Sequence, residues 1–118
     1  MFSKMGKLIT AAVVFAGVSS FAVSAFAASG QALFRSEGCI ACHTINGKGG
    51  QVGPNLSHIG SQRSLSWIKT QIVNPGAHFA SGSSVTLNGK SYIAIMPNHK
   101  NMPASDVSTI AKYLESLK

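Results

Sequence analysis

Only two cysteines occur in the 118 residues, and they stand three positions apart in Cys39-Ile40-Ala41-Cys42-His43. No other feature limits the fold as much. Thiols this close in sequence cannot tie distant segments together, so a disulfide framework is excluded as the source of stability. A histidine directly after the second thiol adds a nitrogen donor to the same short stretch of chain.

Whatever holds the fold together must do so in a small domain. Lys4 and Lys7 precede an apolar run from Leu8 through Phe26, and Ala25-Phe26-Ala27 closes it with the small residues that a signal peptidase requires. The expected division is a signal peptide over residues 1–27 and one domain over 28–118, exported to the periplasm. The competing reading is an uncleaved anchor, since about 20 apolar residues suffice to cross a bilayer. Removing 27 residues from 118 leaves 91, near the size at which an apolar core alone gives marginal stability. Arg35, Lys48, Arg63, Lys69, Lys90, Lys100, Lys112 and Lys118 then stand against Glu37, Asp106 and Glu115, a formal +5. The basic residues form no contiguous run and the chain is exported, which argues against nucleic acid. The charge instead suits the acidic surfaces of protein partners, where it speeds encounter.

The spacing of Cys39, Cys42 and His43 meets the requirements of c-type haem attachment. Two thiols on one turn of chain reach the two vinyl groups, and the next residue swings its imidazole beneath the iron. Export strengthens this reading, because exported cysteine chemistry belongs to oxidising compartments. A thioredoxin-like pair would expect a strand before the first cysteine, where a helix is predicted. A zinc site needs four ligands, and His58, His78 and His99 lack the close pairing that would complete one. A plain disulfide between the two thiols is the remaining alternative. A covalent haem also supplies the missing staple, a large apolar surface around which short helices pack. Its iron has a sixth position to fill, and Met96, Met102, His58, His78 and His99 are the candidates.

Short helical patterns and turn signals fill the rest of the chain. A first helix is predicted over Ser29 to Ser36, with Ser29 as its cap, Leu33 and Phe34 facing inward, and Gly38 ending it. Asn46-Gly47-Lys48-Gly49-Gly50 reads as a loop, closed by Gly53-Pro54-Asn55-Leu56. Leu65, Ile68 and Ile72 recur at helical spacing between the cap Ser64 and the stop Asn74-Pro75-Gly76. Val85-Thr86-Leu87 and Tyr92-Ile93-Ala94-Ile95 flank Asn88-Gly89 and Lys90-Ser91, which predicts a small two-stranded ribbon. Val107, Ile110, Ala111, Leu114 and Leu117 form one stripe of a last helix that begins between Pro103 and Ser105 and reaches Leu117.

Taken in order, Leu33-Phe34, Gly38-Cys39-x-x-Cys42-His43, Gly53-Pro54-Asn55-Leu56, Met96-Pro97 and the closing helix with Tyr113-Leu114 resemble the class I cytochrome c family over about Gly30 to Leu117. The resemblance implies a mostly α fold, three to four short helices around one covalent haem c on Cys39 and Cys42, with the small β-hairpin lying before the axial methionine. It implies His43 and Met96 as iron ligands, because the family's axial methionine precedes a proline a short loop before the last helix. Met102 is also followed by proline, but it occupies the place of an apolar packing residue. The Pro54 carbonyl would accept the Nδ1 hydrogen of His43. Leu56, Ile68, Ile72 and Ile95 would wall the haem, and Leu33 or Phe34 would cross Tyr113 or Leu114. Arg63 and Trp67 are candidate propionate partners, with ordinary packing the competing role for Trp67. His58, His78 and His99 are expected as exposed or lightly hydrogen-bonded loop residues.

With histidine and methionine both on iron, no position is open to substrate, so the expected activity is electron transfer rather than enzymatic catalysis. The expectation is a soluble, monomeric, periplasmic one-electron carrier shuttling between respiratory or oxidative redox proteins, with no stable membrane insertion once the signal peptide is cleaved. One alternative is a haem-bearing electron-transfer subunit of an oxidoreductase complex, for example in sulfur-compound oxidation. Another is a five-coordinate ligand-binding or peroxidatic haem protein.

Overall fold

The computed structural model describes residues 29–118; the expected signal peptide over 1–27 lies outside the described residues. Among the described residues, four helices and two small hairpins make up the fold. The first helix, α1, occupies residues 29–36, so Ser29 is itself helical. It stops at Gly38, whose φ of 79° is left-handed. A 3-10 turn at Cys39–Ala41 leads into the hairpin of β1 (Thr44–Ile45) and β2 (Lys48–Gly49). Then come α2 (Ile59–Gln62), α3 (Leu65–Val73), a 3-10 turn at Pro75–Ala77, the hairpin of β3 (Ser84–Leu87) and β4 (Lys90–Ile93), and α4 (Ala104–Glu115).

Local chemistry accounts for most of these boundaries. The Ser64 hydroxyl accepts from the Trp67 amide at 3.2 Å, satisfying one of the orphan donors at the start of α3. Asn74 and Pro75 end the helix because proline lacks the donor that would continue it. Both hairpins turn on Asn-Gly. Asn46 and Asn88 have φ of 50° and 52°, and Gly47 and Gly89 both have 79°, the two successive positive values that a two-residue hairpin turn demands.

The first of these hairpins corrects the reading of Asn46 to Gly50 as a loop. Its strands are two residues long, too short for an alternating pattern, although the Asn-Gly signal is the same one that identified the second ribbon. In that second ribbon Leu87 pairs with Lys90 and Ser84 with Ile93. Lys90 and Ser91 therefore belong to the strand rather than to the turn. Helix α4 ends at Glu115, with Leu117 beyond it but still bonded through its amide to the Leu114 carbonyl at 3.0 Å.

The core lies where α1, α3 and α4 meet, and it comprises Phe34, Ile45, Ile68, Ile72, Val107, Ile110, Ala111 and Leu114. Ile68 and Ile72 come from one face of α3, and Val107, Ile110, Ala111 and Leu114 from one stripe of α4. Helix α1 crosses α4 closely: the Phe34 and Tyr113 rings meet edge to face with centroids 6.4 Å apart. Short α2 lies against the end of α4, its Gly60 amide donating to the Leu117 carbonyl at 2.7 Å. Among the described residues no helix is long and apolar enough to cross a membrane.

Candidate functional site

One turn of chain presents both thiols. The amides of Cys42 and His43 both donate to the Cys39 carbonyl, at 3.2 and 3.0 Å, so Cys39, Cys42 and His43 leave a single turn together. Burial pushes the Cys39 thiol above its ordinary range; the hydrogen bond at its own backbone opposes this, and the nearby Glu37 and Cys42 add to it. Among the described residues no group of three or more His, Cys, Asp or Glu side chains is placed to hold a metal ion.

The first hairpin brings residues 53 and 54 onto His43. The Gly50 amide donates to the Ile40 carbonyl at 2.9 Å, the Gly53 amide to Cys42 at 2.8 Å and the Leu56 amide to Thr44 at 2.8 Å. His43 Nδ1 then donates to the Pro54 carbonyl at 2.8 Å. A carbonyl oxygen only accepts, so Nδ1 carries the hydrogen and Nε2 keeps its lone pair free. Burial holds the imidazole below the ordinary histidine range, and the bond to Pro54 opposes this. A neutral ring with a free Nε2 is the form that binds a metal. Gly53 is needed for this approach, since a Cβ there would lie 2.6 Å from Cε1 of the imidazole.

Met96 sits in a segment anchored at both ends. The Ala94 amide donates to Ser83 and the Ala94 carbonyl accepts from Gly82, both at 2.8 Å, which extends the second ribbon. Farther on, the His99 amide and Nδ1 both donate to the Ile72 carbonyl at the end of α3, at 3.1 and 3.3 Å. Between these anchors Met96 is half-buried, and Gln71 Nε2 donates to its Sδ at 3.4 Å. Met102 is placed differently. It packs against the hydrophobic core and lines a groove with Val73 and Val107.

Other expected site residues are distributed around this frame. Leu56 is half-buried against the core, whereas Ile68 and Ile72 are within it. Ile95, the neighbour of Met96, is 59% exposed, and Val52, the neighbour of Gly53, is 51% exposed. Arg63 lies over the Trp67 ring, 4.4 Å from its centroid, and Trp67 stacks on His78 with centroids 4.2 Å apart and planes within 5°. His78 thus lies half-buried in the turn after Pro75–Ala77, against an aromatic ring and with its Nδ1 2.8 Å from Gln71 Oε1. His58 is exposed and donates from Nδ1 to the Lys118 carbonyl at 2.7 Å. Gln71 was not singled out in the sequence. The only signal was a polar residue one helical turn after Trp67 and Ile68, on the face of α3 that carries them.

The donor set fits a covalent haem: two thiols on one turn, a neutral imidazole with a free Nε2, a thioether with one polar partner, and exposed apolar side chains next to Gly53 and Met96. A family model described as cytochrome c matches residues 27–118. No curated protein matches the chain.

Proposed function

Because the chain belongs to the cytochrome c family, a class I haem-based electron-transfer family whose haem c is held here by Cys39 and Cys42, we propose that it is a periplasmic carrier with His43 and Met96 as axial ligands. The observation that carries this reading is the pairing of His43 with Pro54, which frees Nε2. Haem c supplies the one-electron Fe(III)/Fe(II) couple. Pro54 orients the His43 ring and makes it a stronger donor. Met96 supplies a soft thioether that favours the reduced state and raises the potential relative to two histidines. With both side chains holding the iron, no position would be open to substrate, and the chain would be confined to electron transfer.

Charge supports protein partners of the opposite sign. The segment that would remain after residue 27 carries a formal +5, and such a field raises encounter rates with acidic surfaces at low salt. Cleavage after Ala27 and export follow from the Lys4, Lys7 and Ala25-Phe26-Ala27 pattern. The Met96→Ala variant tests the ligation. Its oxidised form should lose the methionine-to-iron absorption band, its potential should fall, and its reduced form should bind carbon monoxide rapidly. Survival of the band would remove Met96 from the ligand set. Purification in a fixed ratio with a catalytic chain would replace the free carrier by a subunit of a complex.

A further inference from the structure

Gln71 has two partners that are remote in sequence and opposite in hydrogen-bonding character. Its Nε2 donates to Met96 Sδ at 3.4 Å, and its Oε1 lies 2.8 Å from His78 Nδ1. A thioether sulfur only accepts, and an amide oxygen only accepts. The amide must therefore aim its NH2 at Met96, and His78 must carry its hydrogen on Nδ1 to meet Oε1. The opposite amide orientation would set oxygen against sulfur, two acceptors facing each other. The tautomer of His78 and the orientation of Gln71 are thus one linked choice.

His78 is itself held in place. It follows the 3-10 turn at Pro75–Ala77, where its amide donates to the Pro75 carbonyl at 3.1 Å. Its ring lies flat on Trp67 and meets Phe79 edge to face at 6.3 Å. Trp67 in turn sits one helical turn before Gln71 on α3. The ring that orients the amide and the ring that supports it are therefore carried by the same small cluster.

From this geometry we propose that His78 is a positioning residue for Met96: by fixing the Gln71 amide it selects which lone pair of the thioether sulfur the protein occupies and which remains for the iron. The proposal rests on Met96 being the axial ligand. A sulfur with one lone pair on Gln71 has one left to give, so the configuration at sulfur is set by the protein. Hydrogen bonding also withdraws density from sulfur, which makes Met96 a weaker donor to the ferric state and raises the potential.

Two substitutions in the haem-loaded protein separate the hydrogen bond from the stacking. His78→Phe keeps an aromatic ring on Trp67 but has no donor; His78→Asn keeps an N–H near the Nδ1 position but loses the ring. If the proposal holds, His78→Phe shows a second set of haem methyl resonances from the alternative sulfur configuration, loss of intensity in the methionine-to-iron band, and a lower potential. His78→Asn retains one set of resonances and the parent band. In a Gln71→Leu background, His78→Phe adds nothing further, because the link has already been cut. A His78→Phe protein like the parent beside an altered His78→Asn protein assigns His78 to packing and overturns the proposal. So does equal, additive loss in both. Persistence of the band in Met96→Ala defeats the ligand assignment itself, and the proposal falls with it for a different and recognisable reason.

Discussion

Replacing Gly53 by alanine tests how closely the chain wraps the His43 ring. The added Cβ would stand 2.6 Å from Cε1, 2.9 Å from Nδ1 and 3.2 Å from Nε2 of His43. Ordinary carbon contacts are about 3.5–4.0 Å, so ring and backbone must part by roughly 1 Å. Such overpacking costs about 1–3 kcal/mol. The same displacement takes the 2.8 Å bond to Pro54 out of hydrogen-bonding range, adding about 0.5–1.5 kcal/mol. A total near 3 kcal/mol corresponds to a fall in melting temperature on the order of 15 °C for a domain of this size. Guanidinium unfolding of parent and variant haem proteins measures the loss, and the proton resonance of His43 Nδ1–H reports the bond directly. A loss below about 0.5 kcal/mol with that resonance unmoved would show that Gly53 is not needed for the approach to His43.

Further outcomes follow from the helices and ribbons. Gly30→Ala would place a Cβ 2.4 Å from Tyr113 Cβ, and the clash should outweigh the roughly 1 kcal/mol that alanine gains over glycine in a helix; a variant more stable to heat than the parent would contradict the packing of α1 on α4. Ser64→Ala removes the acceptor for the Trp67 amide and should cost about 1 kcal/mol in chemical denaturation. Gly89→Val forces a β-branched residue to φ 79°, at a cost of about 1–3 kcal/mol. Because Ala94 ties the Met96 segment to that ribbon, amide exchange should speed up around Val85 and Tyr92 while protection at Ile110 stays near the parent's.

The legible parts of this protein are those whose causes are local. Ser64, Asn74 and Pro75 mark α3 because capping and the missing proline donor act within one turn. Asn88-Gly89 marks its ribbon because two left-handed positions in succession are an intrinsic demand of a tight hairpin. The same demand operated at Asn46-Gly47, yet strands of two residues left no alternation to read. Helix α2 escaped notice for a similar reason: four residues show no period, and its Gly60 is explained by the distant end of α4, where an added Cβ would collide with the Glu115 carbonyl.

The sequence alone determined what the site is made of. Two thiols three apart and a histidine next in line are fixed by covalent order, and only a few prosthetic groups can use them, whereas two methionines, Met96 and Met102, each stand before a proline. Tertiary structure decided how those groups are presented. The first hairpin folds Pro54 back onto His43 and so chooses its tautomer, because a carbonyl can only accept. Helix α3 and the turn after it bring Gln71 and His78 together beside Met96 across 25 and 7 residues of chain. No periodicity encodes that meeting, since it depends on where two separately formed elements come to rest against one core.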